Sequence, residues 1–491
     1  MSTATTNGAI TAKGYEEQLH DWIKLEKAAI DLIQIMGTLF YDKSVELIIF
    51  RNQAVDRSAS EIINLHHYAK DIVKKPISVI DSLLIASEMV KMDLAPARID
   101  IGRLSYEWAT EGSNFKSVAD FVGNKLKGFV GQDKNKIAPK DVVLYGFGRI
   151  GRIVARELIN QAGKGEQLRL RAIVTRDKSD EDLIKRADLL RQDSVHGKFP
   201  GTVIEDLANR ALIINGHTVH MISAKNPEDI DYTAYGINDA LVIDNTGIAR
   251  NREELGKHLK AKGVSKVLLT APAQGDIPNV VYGINQNMCA DNEQIFSAAS
   301  CTTNAIVPVL AVVDKAFGID RGHVETIHSY TNDQNLLDNY HKKYRRGRSA
   351  ALNMVITETG ADKAVSKALP HLAGKMTGNA VRVPTPDVSL AILNLSVSKN
   401  ITRDEANDLL KDAALKGDLV EQIHYSNSNE LVSTDLVGNP SASIVDSPAT
   451  IVSKDGKNLI LYVWYDNEYG YSRQVIRFCK YIAKVIRLTY Y

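Results

Sequence analysis

A chain of 491 residues with 44% hydrophobic and 24% charged side chains has the makeup of a soluble globular protein of two to four domains, which excludes a disordered or fibrous one. Its formal net charge of +1 excludes a general attraction for nucleic acid or anionic membrane as the basis of function, so any basic site is local. Three cysteines, Cys289, Cys301 and Cys479, speak against a disulfide framework and for a reducing compartment.

The first residues, MSTATTNGAITAKGYEEQLH, contain no basic segment followed by an apolar one, so no secretory signal is expected. Runs such as VELIIF are too short to cross a bilayer, and a cytoplasmic protein is expected. From about Tyr15 to Val130 the pattern predicts helices and no strand. Leu19, Trp22, Ile23, Ala29, Ile30, Ile33, Met36 and Phe40 recur mostly at three- and four-residue steps, as one buried helix face requires. Ser58 with Glu61 fits a capping box opening a second helix. His66 and His67 are neighbours on that helix and point about 100° apart, which suits surface or core histidines; no metal site is predicted.

Residues 131–140, GQDKNKIAPK, read as a linker, and the pattern changes after it. DVVLYGF, LRLRAIVT, ALVIDNTG, KVLLTAP and QIFSAAS are strand-length apolar runs alternating with amphipathic segments, which predicts parallel strands joined by helical crossovers. Beyond about Ala311, GHVETIHSYT, SLAILNLSVSK and NLILYVWYD predict a mixed or antiparallel sheet, and EYGYSRQVIRFCKYIAKVI a final amphipathic helix. The expected class is therefore α/β with an α+β domain, preceded by an all-helical extension. The expected divisions are residues 1–137, 138–300, 301–466 and 467–491.

GFGRIGR places Gly146, Gly148 and Gly151 between a strand and a helix in the spacing that lets a pyrophosphate approach a helix N-terminus. The acid that would bind the adenosine ribose belongs at the end of the next strand, LRLRAIVT. Asp177 is one candidate; alternatively Thr175 stands in its place and Arg176 faces a 2′-phosphate, and both can equally be solvated turn residues. NAD and NADP both stay open.

In SAASCTTNAIVPVL, Cys301 falls where a strand gives way to a helix, a position that stabilises a thiolate through backbone N–H groups and the helix dipole. His328, at the end of GHVETIHS, is the candidate base. Cys289 and Cys479 lack such a setting and read as structural.

GFGRIGR, SAASCTTNAIVPVL, HSYTNDQ, RRGRSAALNM, TGADKAVSKALP, VRVPTPDVS and WYDNEYGYS, in that order, resemble phosphorylating glyceraldehyde-3-phosphate dehydrogenase from about Asp141 onward. The resemblance implies Cys301 as nucleophile and His328 as base, with NAD or NADP as cofactor. It implies Thr331 and Arg382 at the substrate's phosphate, and Ser300, Thr302, Thr359, Gly360 and Arg345 around the phosphate sites. Asn467 matches the residue that orients the nicotinamide carboxamide; Arg149, Ile150 and Thr270 match further cofactor contacts. Thr175 and Lys225 stand where the family has an aspartate and an arginine, which touches cofactor preference only. The implied partners are glyceraldehyde 3-phosphate, inorganic phosphate and other copies of the chain in a tetramer, in glycolysis or gluconeogenesis. Two other readings compete: an erythrose-4-phosphate dehydrogenase, and a binding or regulatory protein whose working part is the extension.

Overall fold

The computed structural model describes residues 14–71 and 73–491, and every count and absence below refers to them. The start of the chain that lacks a secretory pattern lies, as far as residue 13, outside the described residues. By its internal contacts the chain forms two compact units: the residues up to Lys136 together with Arg487–Tyr491, and Ile137–Ile486.

The first unit is mostly helical: α1 (Tyr15–Lys43), α2 (Ala59–Asp71), α3 (Val79–Lys91), α4 (Ile101–Glu111) and α5 (Val118–Lys125). The capping box at α2 is present, with Glu61 N donating to Ser58 Oγ and Ser58 N donating to Glu61 Oε2. On α1 the buried face carries Ala29, Leu32, Met36, Leu39 and Phe40, whereas Leu19, Trp22, Ile23 and Ile30 are exposed.

The unit is not all-helical. Strands β1 (Val45–Ile49), β2 (Asn52–Gln53) and β3 (Ala97–Asp100) form a sheet completed by Leu488–Tyr490, in the order β2, β1, β3 and then that last strand. All five residues of β1 are buried, so the strand shows no polar–apolar alternation and its run passes for a helix segment. Buried Asp100 fixes the β1–β2 turn, accepting from Phe50 N and Arg51 N, and also caps α4 by accepting from Arg103 N.

The second unit begins with an open sheet of eight strands. These are β4 (Lys140–Tyr145), β5 (Leu168–Thr175), β8 (Val203–Asp206), β9 (Ala211–Ile214), β10 (His217–Ser223), β11 (Ala240–Asp244), β12 (Val264–Leu269) and β13 (Ile295–Ser297); the pair β6 (Gln192–Asp193) and β7 (Gly197–Lys198) stands apart. Their spatial order is β13, β12, β11, β4, β5, β10, β9, β8, parallel except where β9 meets β10 and β8. Crossovers include α6 (Arg149–Asn160), α7 (Asp180–Arg191) and α8 (Arg252–Lys260). The core inside this sheet also contains Tyr471, Val475, Phe478 and Cys479 of the final helix (Tyr469–Ile482), tied to α6 by the buried Arg473–Glu157 ion pair. That helix is shorter than its pattern suggests: Lys484 has a φ of 57°, the chain turns, and Leu488–Tyr490 enters the first unit's sheet instead.

After helix α9 (Cys301–Phe317) a mixed sheet follows, built from β14 (Ile319–Ser329), β15 (Val355–Thr357), β16 (Met376–Val383), β17 (Ser389–Val397), β18 (Ile423–Ser426), β19 (Ser443–Asp446), β20 (Ile451–Val452) and β21 (Asn458–Tyr465). The order is β15, β16, β14, β17, β21, β19, β18, with β20 on β21; β14 is parallel to β16 and antiparallel to β17. Helices α10 (Ala361–Ala368) and α11 (Arg403–Leu415) complete the domain. The remaining elements are α12 (Tyr469–Ile482) and β22 (Leu488–Tyr490). No helix among the described residues is long and apolar enough to cross a membrane.

Candidate active site

Cys301 is the first residue of α9, reached from β13 through Ala299, whose φ of 54° turns the chain sharply. Ser300 Oγ accepts from Thr303 N, so this hydroxyl is used as the helix cap. Cys301 Sγ lies 3.5 Å from His328 Nε2 at the end of β14. Burial pushes the Cys301 thiol up, opposed by the Arg382 charge and by hydrogen bonds from Thr302 and the backbone at the helix start. His328 is held down to about 3 by burial and then by the Arg382 charge, with a smaller push from Arg346.

Arg382 faces His328 because β14 and β16 run in register there, His328 opposite Arg382. Its Nη1 donates to Ser329 O at 2.8 Å and lies 2.7 Å from His328 Nδ1, which is itself 2.7 Å from Ser329 O. A guanidinium only donates, so while it faces Nδ1 the ring proton sits on Nε2, toward Sγ. Tyr465, buried at the end of β21, braces the group: its hydroxyl lies 3.0 Å from Thr302 Oγ1 and 2.7 Å from Thr326 Oγ1.

Of the arginines in the loop after β14, Arg345 extends outward to Ile356 O, whereas Arg346 is buried, bonded to Thr357 Oγ1 and paired with Asp333. The family resemblance implies Arg345 here; its neighbour Arg346 is the one whose charge acts on His328. Thr331 lies two residues beyond β14, and Thr359 and Gly360 immediately precede α10.

The glycine turn fits a dinucleotide. Gly146 has a φ of 92°, and a Cβ at Gly151 would lie 2.5 Å from Gly146 O, so both positions require glycine. Gly148 caps α6 without a side-chain hydrogen bond and has open space around it, leaving the first amides of α6 for a pyrophosphate. Arg149 itself is committed elsewhere, to both oxygens of Glu468 at 2.5 Å and to Asp193 at 3.0 and 3.1 Å. Ile150 packs against the core, and Thr270 Oγ1 donates to Asp244 O.

Beside the turn is a cleft of about 420 Å³ lined by Gly146, Thr175, Arg176, Arg186, Lys225, Thr246 and neighbouring residues. Asp177 is not among its walls; its carboxylate accepts from Ser179 N on the exposed turn leading to α7. Asn467 is buried, and its Oδ1 accepts from Ser389 Oγ at 2.7 Å. Next to it Asp466 accepts from Gly438, Glu468 and Tyr469 N–H groups, while His196 Nε2 lies 3.0 Å from Glu468 Oε2. Neither oxygen of buried Asp387 has a hydrogen-bond partner, and burial together with Asp466 and Glu468 raises its carboxyl well above the usual range.

Residues 140–252 match the family model for the glyceraldehyde 3-phosphate dehydrogenase NAD-binding domain, and residues 300–467 match the C-terminal domain of the same enzyme. A glyceraldehyde-3-phosphate dehydrogenase-like protein of Pseudomonas aeruginosa (strain UCBPP-PA14) is 49% identical over 457 residues, covering 92% of this chain and 98% of the relative. That span is longer than the second unit, so it includes part of the first. Glyceraldehyde-3-phosphate dehydrogenase 1 of Bacillus subtilis (strain 168) is 42% identical over 344 residues, 70% of this chain and 98% of the relative. The A enzyme of Zea mays chloroplasts is 42% identical over 336 residues, 68% of this chain and 80% of the relative. With a thiol and imidazole in contact, a glycine turn shaped for a dinucleotide and these matches, the chain belongs to the glyceraldehyde-3-phosphate dehydrogenase family and is an oxidoreductase that uses NAD or NADP.

Proposed function

We propose that the protein is a phosphorylating glyceraldehyde-3-phosphate dehydrogenase, with Cys301 as nucleophile and His328 as its acid–base partner. The observation that carries this reading is the placing of two arginines, half-buried Arg382 and buried Arg346, around one thiol–imidazole pair. One phosphorylated substrate and one phosphate nucleophile call for two such charges.

In this reading Arg382 with Thr331 binds the phosphate of the aldehyde substrate, and Arg346 with Thr359 and Gly360 binds the attacking phosphate. A substrate phosphate that draws Arg382 off His328 Nδ1 leaves Nδ1–H free to donate to Ser329 O. Nε2 then becomes the acceptor. Cys301 Sγ bonds to the aldehyde carbon, its proton passing to the new alkoxide through His328, to give a thiohemiacetal. When bound, the dinucleotide supplies the hydride acceptor that turns this adduct into a thioester, and Gly148, the start of α6 and Asn467 are the residues that would hold it. His328 Nε2 takes the hydroxyl proton in that oxidation. Phosphate then attacks the acyl carbon, the C–S bond breaks, and the Cys301 thiolate leaves.

The reading carries with it a cytoplasmic homotetramer. Supporting assembly, Leu336, Leu337, Tyr340, Tyr344 and Leu352 stand exposed on the loop after β14, apolar surface that a second copy would cover. Mass measurement in solution tests it, and a monomer at micromolar concentration would refute it.

One assay matrix tests the function: glyceraldehyde 3-phosphate and erythrose 4-phosphate, each with NAD and NADP, with and without inorganic phosphate. Phosphate-dependent oxidation of glyceraldehyde 3-phosphate is expected. Phosphate-independent turnover of erythrose 4-phosphate alone would overturn the proposal, as would a Cys301→Ser variant with full activity.

A further inference from the structure

We infer that the cleft beside the glycine turn selects a 2′-phosphorylated dinucleotide, NADP over NAD, through Arg176 and Lys225. The inference rests on the family's dinucleotide occupying this cleft and adds which one.

Strands β5 and β10 are parallel neighbours whose last residues, Thr175 and Ser223, are register partners. Beyond them the two chains stay joined: Ala224 N donates to Thr175 O at 3.0 Å and Ser223 Oγ donates to Arg176 O at 3.1 Å. Arg176 and Lys225 therefore leave adjacent strand ends on one edge of the cleft, and both line it. Among the described residues neither forms an ion pair with a carboxylate, so both charges are available at this edge of the cleft.

A ribose 2′-hydroxyl needs a carboxylate acceptor at the end of β5, and a 2′-phosphate needs an arginine. The end of β5 offers Thr175 and Arg176, and the carboxylate of Asp177 is turned onto the exposed side, bonded to Ser179 N. The two carboxylates that do line the cleft are occupied. Asp244 binds Thr246 and His258, and Glu254 accepts from Arg250 N. Nothing at this edge rewards a free 2′-hydroxyl, and two cations reward a dianion.

The test is binding to the purified full chain by calorimetry, comparing NADP with NAD, and 2′,5′-ADP with 5′-AMP, at low and at high salt. The phosphorylated member of each pair is expected to bind at least about tenfold more tightly at low salt, with the gap narrowing at high salt. Arg176→Ala with Lys225→Ala should remove most of that gap and leave NAD affinity within about twofold. Equal or tighter binding of NAD by the unaltered protein would overturn the inference while leaving the dehydrogenase reading intact. A double variant that weakens NAD and NADP alike would overturn it too. Should neither dinucleotide bind, both readings fall.

Discussion

Arg382 is the charge that most directly sets the state of the thiol–imidazole pair, and Arg382→Gln isolates its contribution. In the structure Nη1 lies 2.7 Å from His328 Nδ1, which puts the centre of the guanidinium charge about 4 Å from the ring. With an effective dielectric of roughly 20–40 for a largely buried pair, that separation corresponds to about 2–4 kcal/mol of repulsion against the imidazolium. Converted at 1.36 kcal/mol per pH unit, the substitution should raise the His328 midpoint by about 1.5–3 units from its value of about 3. Burial remains, so the variant should still titrate below the ordinary histidine range. The same positive charge also favours the thiolate, so Cys301 should ionise at higher pH in the variant. Titration of the labelled histidine ring by NMR, assigned with His328→Asn, reads the first shift, and the pH profile of Cys301 alkylation reads the second. Arg382→Lys keeps the charge and should leave His328 low while weakening the substrate's phosphate contact. A His328 midpoint that stays within about half a unit of the unaltered protein in Arg382→Gln, or falls, would refute the assignment of this charge.

Three further outcomes follow from the geometry. Gly151→Ala forces a methyl group against Gly146 O, so dinucleotide binding should be lost and the melting temperature should fall by the equivalent of about 1–3 kcal/mol. Asp387→Asn removes a buried carboxylate that has no hydrogen-bond partner, His196 Nε2 lying 3.6 Å from its Oδ2. Because the folded state raises that carboxyl above its unfolded value, its stabilising contribution is full below about pH 4 and is lost as pH rises toward the folded midpoint, so the variant should be more stable than the unaltered protein at pH 8, by about 1–3 kcal/mol in urea unfolding. His328 and His424 behave oppositely: burial lowers them to about 3 and about 4, the unfolded chain binds more protons below about pH 6.5, and stability should fall by about 1.4 kcal/mol per unit for each as pH drops from 6 toward 4. Acid unfolding of Asp387→Asn, in which the opposing carboxylate is absent, is the clean place to measure that slope.

The second unit was legible in the sequence because central parallel strands such as β4 and β11 read as apolar runs between helices, and β17 and β21 of the mixed sheet alternate buried with less buried residues. Cys301 and His328 were legible for a related reason: each falls where a run ends, and the ends of elements are where a rigid scaffold presents side chains. The first unit's sheet was hidden, since VELII and ARID are only five and four residues long, too short for a period to separate strand from helix. The fine points of the site depended on direction, which spacing does not encode. Arg149 turned to Glu468 and Asp193, Asp177 turned out of the cleft, and Arg346 instead of Arg345 turned inward. Ser389, which fixes Asn467, carries no local signal at all; its role exists only because β17 lies beside the end of β21.

The sheet of the first unit contains a clock. Its central strand, β3, hydrogen-bonds β1 on one side and β22 on the other, and Arg98 meets Tyr491 from 393 residues further along the chain. At roughly 5–20 residues per second, β3 emerges from a ribosome some 20–80 s before its second partner exists. For that interval the unit has helices, three strands and an open edge on β3, and the dehydrogenase unit is made entirely within it. Completion of the first part of the protein is therefore a late event in its synthesis, and a chain cut short by only a few residues at β22 would carry an intact Cys301 centre and an unfinished N-terminal sheet.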